Sequence, residues 1–537
     1  MTHSHNPQSI DVAIVGGGVA GCYLGYRLTT AGVTSVALFE SSDRVGGRLW
    51  SVPLLGVPGV CAELGGMRFH PELHLVSDLV RHLGLDGVVT GFSFGEPENF
   101  TYVRGVHFRQ KELTTAARER SPDALPYRLQ PAERGRGLDD LNALVAETAL
   151  PGFSVLRRRH HAAFAVEDWP AAECAAEEYE ERKRSATLAG EPLFAMSLRG
   201  LLAGVLSSEA IHFLRDAGGY LSFTSHGGAA GWLDNLFYTP PDARMQCLAS
   251  GFETLPRELH TRFHKAGGET RLRHRLTRLD RAEEGGVELT FRHDNEDGPT
   301  VLVRAGRVVL TLPPRALELL APDTFCLRDA GVQGYLGSVE RVGAVKLFLV
   351  YPSPWWETTG VQRGRSTTDL PLRQLWYFGG GSKGPALILA AYADGAAAEH
   401  WRGLREGEPF PAAAAVPSAT ASRRMVEAAH AMLMEVHGVE SAPTPSAACW
   451  HDWSADPFGG GWHVWREGYD PRLVIPALRQ PVPGEAVYLA GDAWSHEPGS
   501  VQGALATAEC VLQDHFGLSW PEWLRRGGTR LGPRRAG

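Results

Sequence analysis

Residues 11–21, Asp11-Val12-Ala13-Ile14-Val15-Gly16-Gly17-Gly18-Val19-Ala20-Gly21, place an apolar strand directly ahead of a GxGxxG turn. A helix-length stretch runs on from Val19 to Gly32, and a second strand, Ser35 to Glu40, follows it. Together they make a βαβ unit of the expected length. Gly16 permits the tight turn, Gly18 lets the backbone approach a pyrophosphate, and Gly21 allows close helix-to-strand packing. Val19 and Ala20 open a helix whose free N–H groups and positive dipole end suit phosphates. Glu40 ends the second strand, where its carboxylate can accept hydrogen bonds from ribose hydroxyls. A bare glycine-rich turn has no need of an acid in register, so the unit reads as a dinucleotide site. Between FAD and NAD the motif alone does not choose.

The whole chain has 537 residues, 43% of them hydrophobic, enough for two or three linked cores. A net charge of -8 and a pI near 6.2 give no basic field, so no nucleic-acid partner is expected. Small anionic or zwitterionic substrates stay compatible, because a pocket can be locally positive. The seven cysteines (Cys22, Cys61, Cys174, Cys247, Cys326, Cys449, Cys510) are odd in number and scattered, with no CxxC. Neither a disulfide framework nor a metal site is expected. No segment offers the roughly twenty uninterrupted apolar residues of a membrane span, and no apolar stretch precedes a cleavage-like site. The expected location is the cytoplasm, away from membranes.

Directly after the acid, Asp43-Arg44-Val45-Gly46-Gly47-Arg48 adds two glycines and two arginines where a second phosphate contact is needed. Nicotinamide enzymes have no particular use for that extension. Near the other end, Tyr488-Leu489-Ala490-Gly491-Asp492 and then Glu497 to Ala504 read as a strand, a polar loop and a helix start. Asp492 sits where a carboxylate can accept bonds from ribityl hydroxyls. The helix starting near Val501 turns a positive end toward the pyrimidine side of a reduced flavin.

With these elements the chain resembles the flavin-containing amine oxidase family, and the resemblance brackets nearly all of it. It implies FAD, with Arg48 on the pyrophosphate and Gly47, Gly491, Ser500 and Val501 as further contacts. Arg44 is either a cofactor contact or a solvent-facing turn residue. Trp453, in the segment Trp453 to Pro457, is implied beside the isoalloxazine ring, against the plainer reading of a core tryptophan. The covalent link of the monoamine oxidase branch needs a cysteine shortly before the last strand. Trp453 to Trp462 contains none, so FAD is expected without a covalent link.

The fold class that follows is α/β (α+β): a Rossmann-like FAD fold of two dinucleotide-binding halves, a mixed-sheet substrate domain and an inserted helical domain. Residues 8–69, 243–333 and 445–520 are assigned to the FAD-binding domain, and 70–115 with 334–444 to the substrate-binding domain. Strand character is clearest in Val308 to Pro314, Ala344 to Tyr351 and Ala386 to Tyr392. Residues 116–242 form the helical domain, in which Leu138 to Leu150, Ala171 to Ser185 and Leu198 to Leu221 read as helices. Pro411 to Thr420 reads as a low-complexity loop before a helix from Met425. A tail, 521–537, is expected to be disordered over its final thirteen residues.

The most discriminating segment is Ala62-Glu63-Leu64-Gly65-Gly66-Met67-Arg68-Phe69. Gly65 and Gly66 let a backbone pass close to something flat, so they and Met67 and Arg68 are expected against the flavin. A guanidinium fork is the group best matched to a carboxylate. The resemblance sharpens this, because in L-amino-acid oxidases and amino-acid 2-monooxygenases an arginine so placed grips the α-carboxylate. The competing reading of Arg68 is an ion pair with Glu63. Tyr392 is implied as a second carboxylate contact, with Trp376 and, less directly, Tyr377 nearby.

Lys346 is a charge inside an apolar strand, expensive without a partner. The resemblance implies that it holds a water against flavin N5, with Trp355-Trp356 completing the match. The alternative is the solvent face of an edge strand. His226 is a candidate base or substrate-orienting group, although an incidental histidine is the favoured reading among 21. Asp234, Trp462, Trp465 and, at the helix start, Ser500 are candidates on the substrate side.

The function implied is an FAD-dependent L-amino-acid oxidase that uses O2. Arg68 and Tyr392 anchor the carboxylate, hydride passes from Cα to flavin N5, and an imino acid hydrolyses to the 2-oxo acid and ammonia, with peroxide as co-product. Aromatic residues near the pocket hint at large apolar or aromatic substrates, and a homodimer is expected. An amino-acid 2-monooxygenase giving an amide, an amine or polyamine oxidase, and a non-catalytic flavin-binding interaction protein remain as alternatives.

Overall fold

The strand Gln8–Val15 runs parallel to Val36–Phe39 on one side and to the long strand Thr300–Leu310 on the other. This is a computed structural model, which describes residues 8–524 apart from 58, 115–120, 122, 242, 294–297 and 379–383. The expected disorder of 525–537 and the borders 116 and 242 of the helical block fall outside the described residues. Up to Leu524 the chain packs: Trp523 meets the Tyr23 and His82 rings, and Leu524 is buried.

The strand Thr300–Leu310 explains how two distant halves of one site meet. Its first part pairs antiparallel with Val287–His293, while Val308 to Leu310 pair parallel with Val487–Leu489. In register, Val15 stands beside Phe39 and Leu310, and Leu310 beside Leu489. Gly16, Glu40, Thr311 and Ala490 therefore leave the sheet at one level, at the carboxyl ends of parallel strands where α/β sheets bind ligands.

The ends of the chain are also clamped together. The helix Val19–Thr30 packs against Val501–Phe516, where Arg27 ion-pairs with the fully buried Glu509 and Tyr23 donates to the same carboxylate. A buried pair of this kind costs about 3–5 kcal/mol when one partner is removed.

A second seven-stranded sheet runs in the order Ala447–Asp452, Ala344–Tyr351, Ala386–Asp394, Gln374–Phe378, Gly364–Thr368, Phe100–Val103, Val106–Arg109. Ala344–Tyr351 is buried at every position, because both faces of the strand are covered. Val345, Leu347, Leu349 and Tyr351 pack under the helix Arg423–His437. Phe348 and Val350 face Leu64, Met67 and Trp376. Lys346 shares that second face.

Between Leu138 and Tyr238 lies a helical block with its own core, Leu141, Phe153, Tyr179 and Phe213 among it. The stretch 198–221 is two helices, Leu198–Val205 and Ser208–Gly218. Ser207 ends the first by accepting from the Ala210 N–H and capping the second. Among the described residues no helix is long and apolar enough to cross a membrane.

Candidate active site

A cavity of about 520 Å³ opens where those parallel strands end. Gly16, Gly18, Val19 and Ala20 form one wall, with Glu40, Gly47 and Arg48 beside them. A β-carbon at Gly21 would sit well inside the Gly16 carbonyl oxygen, so the helix can approach the turn only without one. At Gly18 the opposite holds: a β-carbon would meet no protein atom within 4 Å, because the backbone there faces open space. Glu40 holds the turn with both oxygens, accepting from Gly17 N at 2.6 Å and Ser42 N at 2.8 Å, and keeps lone pairs for a ligand hydroxyl.

The far wall comes from the other end of the chain. Gly491, Asp492, Ser500 and Val501 line it, and Ser500 caps the helix it begins by accepting from Gly503 N at 2.9 Å. Arg48 bridges the two halves through an ion pair with Asp492 and a 3.3 Å bond to the Gly461 carbonyl. Burial alone would raise the Asp492 carboxyl, but Arg48 and His463 outweigh it and hold it well below the usual carboxylate range. Two helix N-termini, an arginine and two carboxylates around one long cavity fit a molecule that carries both phosphates and sugar-like hydroxyls.

Six expected cofactor contacts, Gly21, Arg44, Gly65, Met67, Arg68 and Trp453, are not among the residues that line the cavity. Arg44 braces the turn: it donates to Gly47 O at 2.6 Å, pairs with Glu253 and stacks on Trp50, and burial lowers its pKa. Gly21 serves packing, and Met67 is buried under the second sheet. Trp453 is a core tryptophan whose indole donates to Leu64 O at 2.7 Å; Phe458, stacked edge-on against it, lines the cavity instead. Gly65 acts through its backbone, and Gly66 is on the wall.

Beyond Gly66 the chain turns into a pocket of side chains. Arg68 is half-buried with no carboxylate partner among the described residues. Glu63, its suspected partner, instead accepts from Ser51 Oγ and Phe252 N. Arg68 Nη2 donates to Tyr220 Oη at 3.0 Å, and its guanidinium lies 4.9 Å from the Phe94 ring and 4.8 Å from Trp376. Tyr220 meets Tyr392 and Trp462 edge-on at 5.5 and 5.7 Å. Burial pushes the Tyr392 hydroxyl well above its ordinary value.

Lys346 is 2% exposed on a central strand, not an edge, paired in register with Tyr392. Its Nζ donates to Glu63 O at 2.9 Å and Gly65 O at 2.5 Å, and lies 4.7 Å from the Tyr392 ring. Burial, opposed by Glu63 and aided by Arg68, pushes the ammonium down to about 7. A neutral amine with two N–H bonds to carbonyls keeps its lone pair free.

The other candidates have partners of their own. Tyr377 points to the opposite face from Trp376 and bonds Ser366 and His437. Asp234 pairs with Lys183 inside the helical block, and Trp465 is core, bonded to Ser495 O. His226 bonds its neighbour Ser225 at 2.8 Å, six residues along from Tyr220. Trp355 and Trp356 pack in the core beside Tyr351.

The profile of flavin containing amine oxidoreductases matches residues 19–511, which span both walls of the cavity. The chain belongs to the flavin-containing amine oxidoreductase family. This oxidoreductase is similar to Aplysianin-A of Aplysia kurodai, at 28% identity over 95% of this chain and 90% of that one. It is also similar to the L-amino-acid oxidase of Mus musculus, at 26% identity over 75% of this chain and 56% of that one. The solved cyclohexylamine oxidase from Brevibacterium oxydans IH-35A shares its fold, with a TM-score of 0.64 at 18% identity over 93% of this chain and 99% of that one.

The oxidoreductase acts on amino groups and uses FAD, which the cradle described above fits. Cys449, the cysteine that precedes Trp453, is buried under the second sheet, and no cysteine is among the residues that line the cavity, in keeping with FAD held without a covalent link. Tyr220, Phe94, Arg365 and Gln374 escaped the sequence reading. None belongs to a motif, and only strand register and the return of the helical block bring them beside Arg68.

Proposed function

We propose that this oxidoreductase oxidises L-amino acids to imino acids, which hydrolyse to 2-oxo acids and ammonia while O2 is reduced to peroxide. The carrying observation is Arg68, a guanidinium fork without a carboxylate partner among the described residues, two residues from the Gly66 that lines the cofactor cavity. A simple amine would leave that fork unanswered, whereas an α-carboxylate answers it with two parallel hydrogen bonds.

Bound FAD supplies the two-electron acceptor and its reoxidation by O2. The chain's own groups bind and orient. Arg68 and the Tyr392 hydroxyl hold the carboxylate, Trp462 and Tyr220 wall the pocket against water, and Gly65 and Gly66 leave room for Cα to approach the cavity. Lys346, neutral above about 7, is placed beneath Gly65 to hold a water or take a proton. All seven cysteines are free thiols, which supports a reducing compartment such as the cytoplasm.

The test is a peroxide, ammonia and amide assay of the flavin-loaded enzyme across L-amino acids and amines. Arg68→Leu is expected to lower kcat/KM for amino acids by roughly 30- to 3,000-fold, the cost of truncating one partner of a buried charge pair. Turnover of amines with none of amino acids, or an amide in place of ammonia, overturns the reading.

A further inference from the structure

Arg365 is a second cation beside Arg68, and it too has no salt-bridge partner among the described residues. It stands opposite Trp376 in the antiparallel pairing of Gly364–Thr368 with Gln374–Phe378, so both project from one face. Gln374, two residues from Trp376, shares that face and pairs with Tyr392, which pairs with Lys346. In register the row from Lys346 through Tyr392 and Gln374 continues to Thr367, and Arg365, two residues before Thr367 on the same face, reaches Gln374 diagonally.

The Arg365 guanidinium lies 4.5 Å from the Phe94 ring that also carries Arg68 at 4.9 Å, so the two cations are at most the sum of those distances apart. Its one side-chain hydrogen bond among the described residues is to Gln374 Oε1 at 3.3 Å. Burial pushes it down to about 10; Tyr220 opposes this and the Arg68 charge adds to it, and Asp139, the one carboxylate that acts on it, is exposed and comes last. Three buried donors on this face have no acceptor among the described residues: Arg365 Nε, Gln374 Nε2 and Trp376 Nε1. Buried donors without acceptors, beside two cations with no carboxylate partner among the described residues, mark a place for a ligand rich in negative oxygens.

We propose that the substrate is an L-amino acid whose side chain ends in a carboxylate, its α-carboxylate on Arg68 and its side-chain carboxylate on Arg365 and Gln374. This rests on the amino-acid reading above and narrows it. An apolar side chain would find the Phe94 and Trp376 faces already covered by guanidinium groups. A basic one would add a third cation.

The test compares kcat/KM for L-glutamate, L-aspartate, L-leucine, L-phenylalanine and L-lysine on the flavin-loaded full chain, then repeats it with Arg365→Gln and Arg365→Lys. An acidic amino acid is expected to be the best substrate. Arg365→Gln is expected to lower the glutamate-to-leucine ratio of kcat/KM by roughly 10- to 100-fold, with Arg365→Lys in between. Independently of turnover, glutarate should raise the Tm of the wild type more than valerate, and Arg365→Gln should abolish that difference. Preference for a neutral or basic amino acid, or a ratio and Tm difference that survive in Arg365→Gln, overturns this inference alone. Oxidation of amines with no amino acid turned over overturns it together with the parent reading.

Discussion

Around Gly16 to Gly21 the cavity wall is main chain; around Arg68 it is side chains. The cofactor cradle works by what is missing, since its turn and helix close only where no β-carbon intervenes. The substrate face works by what is added, a row of polar groups on an apolar sheet, each costly unless answered. The cradle should therefore fail when an atom is inserted, and the face when a functional group is removed.

The largest effect follows from the cradle. Gly21→Ala drives a methyl into the Gly16 carbonyl, a backbone atom that cannot turn aside, so the turn itself must open. Overpacking of about 3 kcal/mol corresponds to roughly a hundredfold weaker FAD binding, and the protein should purify nearly colourless. Gly18→Ala clashes with nothing among the described residues. It should melt like the wild type while still losing FAD affinity in a titration. Equal flavin content in Gly21→Ala and wild type would break the contrast.

The same contrast decides what a sequence reveals. The cradle was legible because sterics tie residue type to position, and the acid and the distant Gly491-Asp492 pair follow from the same ligand. The substrate face was legible only at Arg68, Tyr392, Lys346, Trp376 and Trp462, where a motif or an out-of-place charge stood out. Arg365 lies in Gly-Arg-Ser-Thr-Thr, a stretch with no apolar period, and its neighbours depend on a register that the sequence does not state. Trp376 and Tyr377 are adjacent aromatic residues in sequence, yet neighbours on a strand face opposite ways, and one meets Arg68 while the other meets His437. Of the arginines of the glycine turn, only Arg48 was assigned to the cofactor without an alternative, and it reaches Asp492, whereas Arg44, read either as a contact or as a solvent-facing residue, reaches the turn's own carbonyls.

Lys346 belongs to both regions, and its effect is of intermediate size. Its folded pKa lies below that of the unfolded chain, so between about 7 and the ordinary lysine range the unfolded chain holds a proton that the folded chain has released. Stability from this group therefore rises with pH through that window, by the linkage between proton binding and folding. If the neutral amine serves the reaction, kcat/KM falls about tenfold per pH unit below 7. Lys346→Met should remove that acidic limb from the pH profile and flatten the matching slope in Tm. A limb that persists unchanged in Lys346→Met assigns it to another group.

The smallest effect tests whether the face is positioned from outside the sheet. Tyr220 is supplied by the chain just after the helix Ser208–Gly218, and its hydroxyl takes an N–H from Arg68 at 3.0 Å while its ring meets Tyr392 and Trp462. Tyr220→Phe keeps the ring and removes only the hydroxyl, so the pocket walls stay and Arg68 gains freedom. Loss of one such hydrogen bond is worth about 1 kcal/mol, or roughly a fivefold change in equilibrium. As a positioning residue, Tyr220 should show its loss in KM for amino acids far more than in kcat, with the flavin spectrum unchanged. A fall in kcat at constant KM would instead mean that the hydroxyl touches the reacting atoms, and the division between a main-chain cradle and a side-chain face would then run through Tyr220 itself.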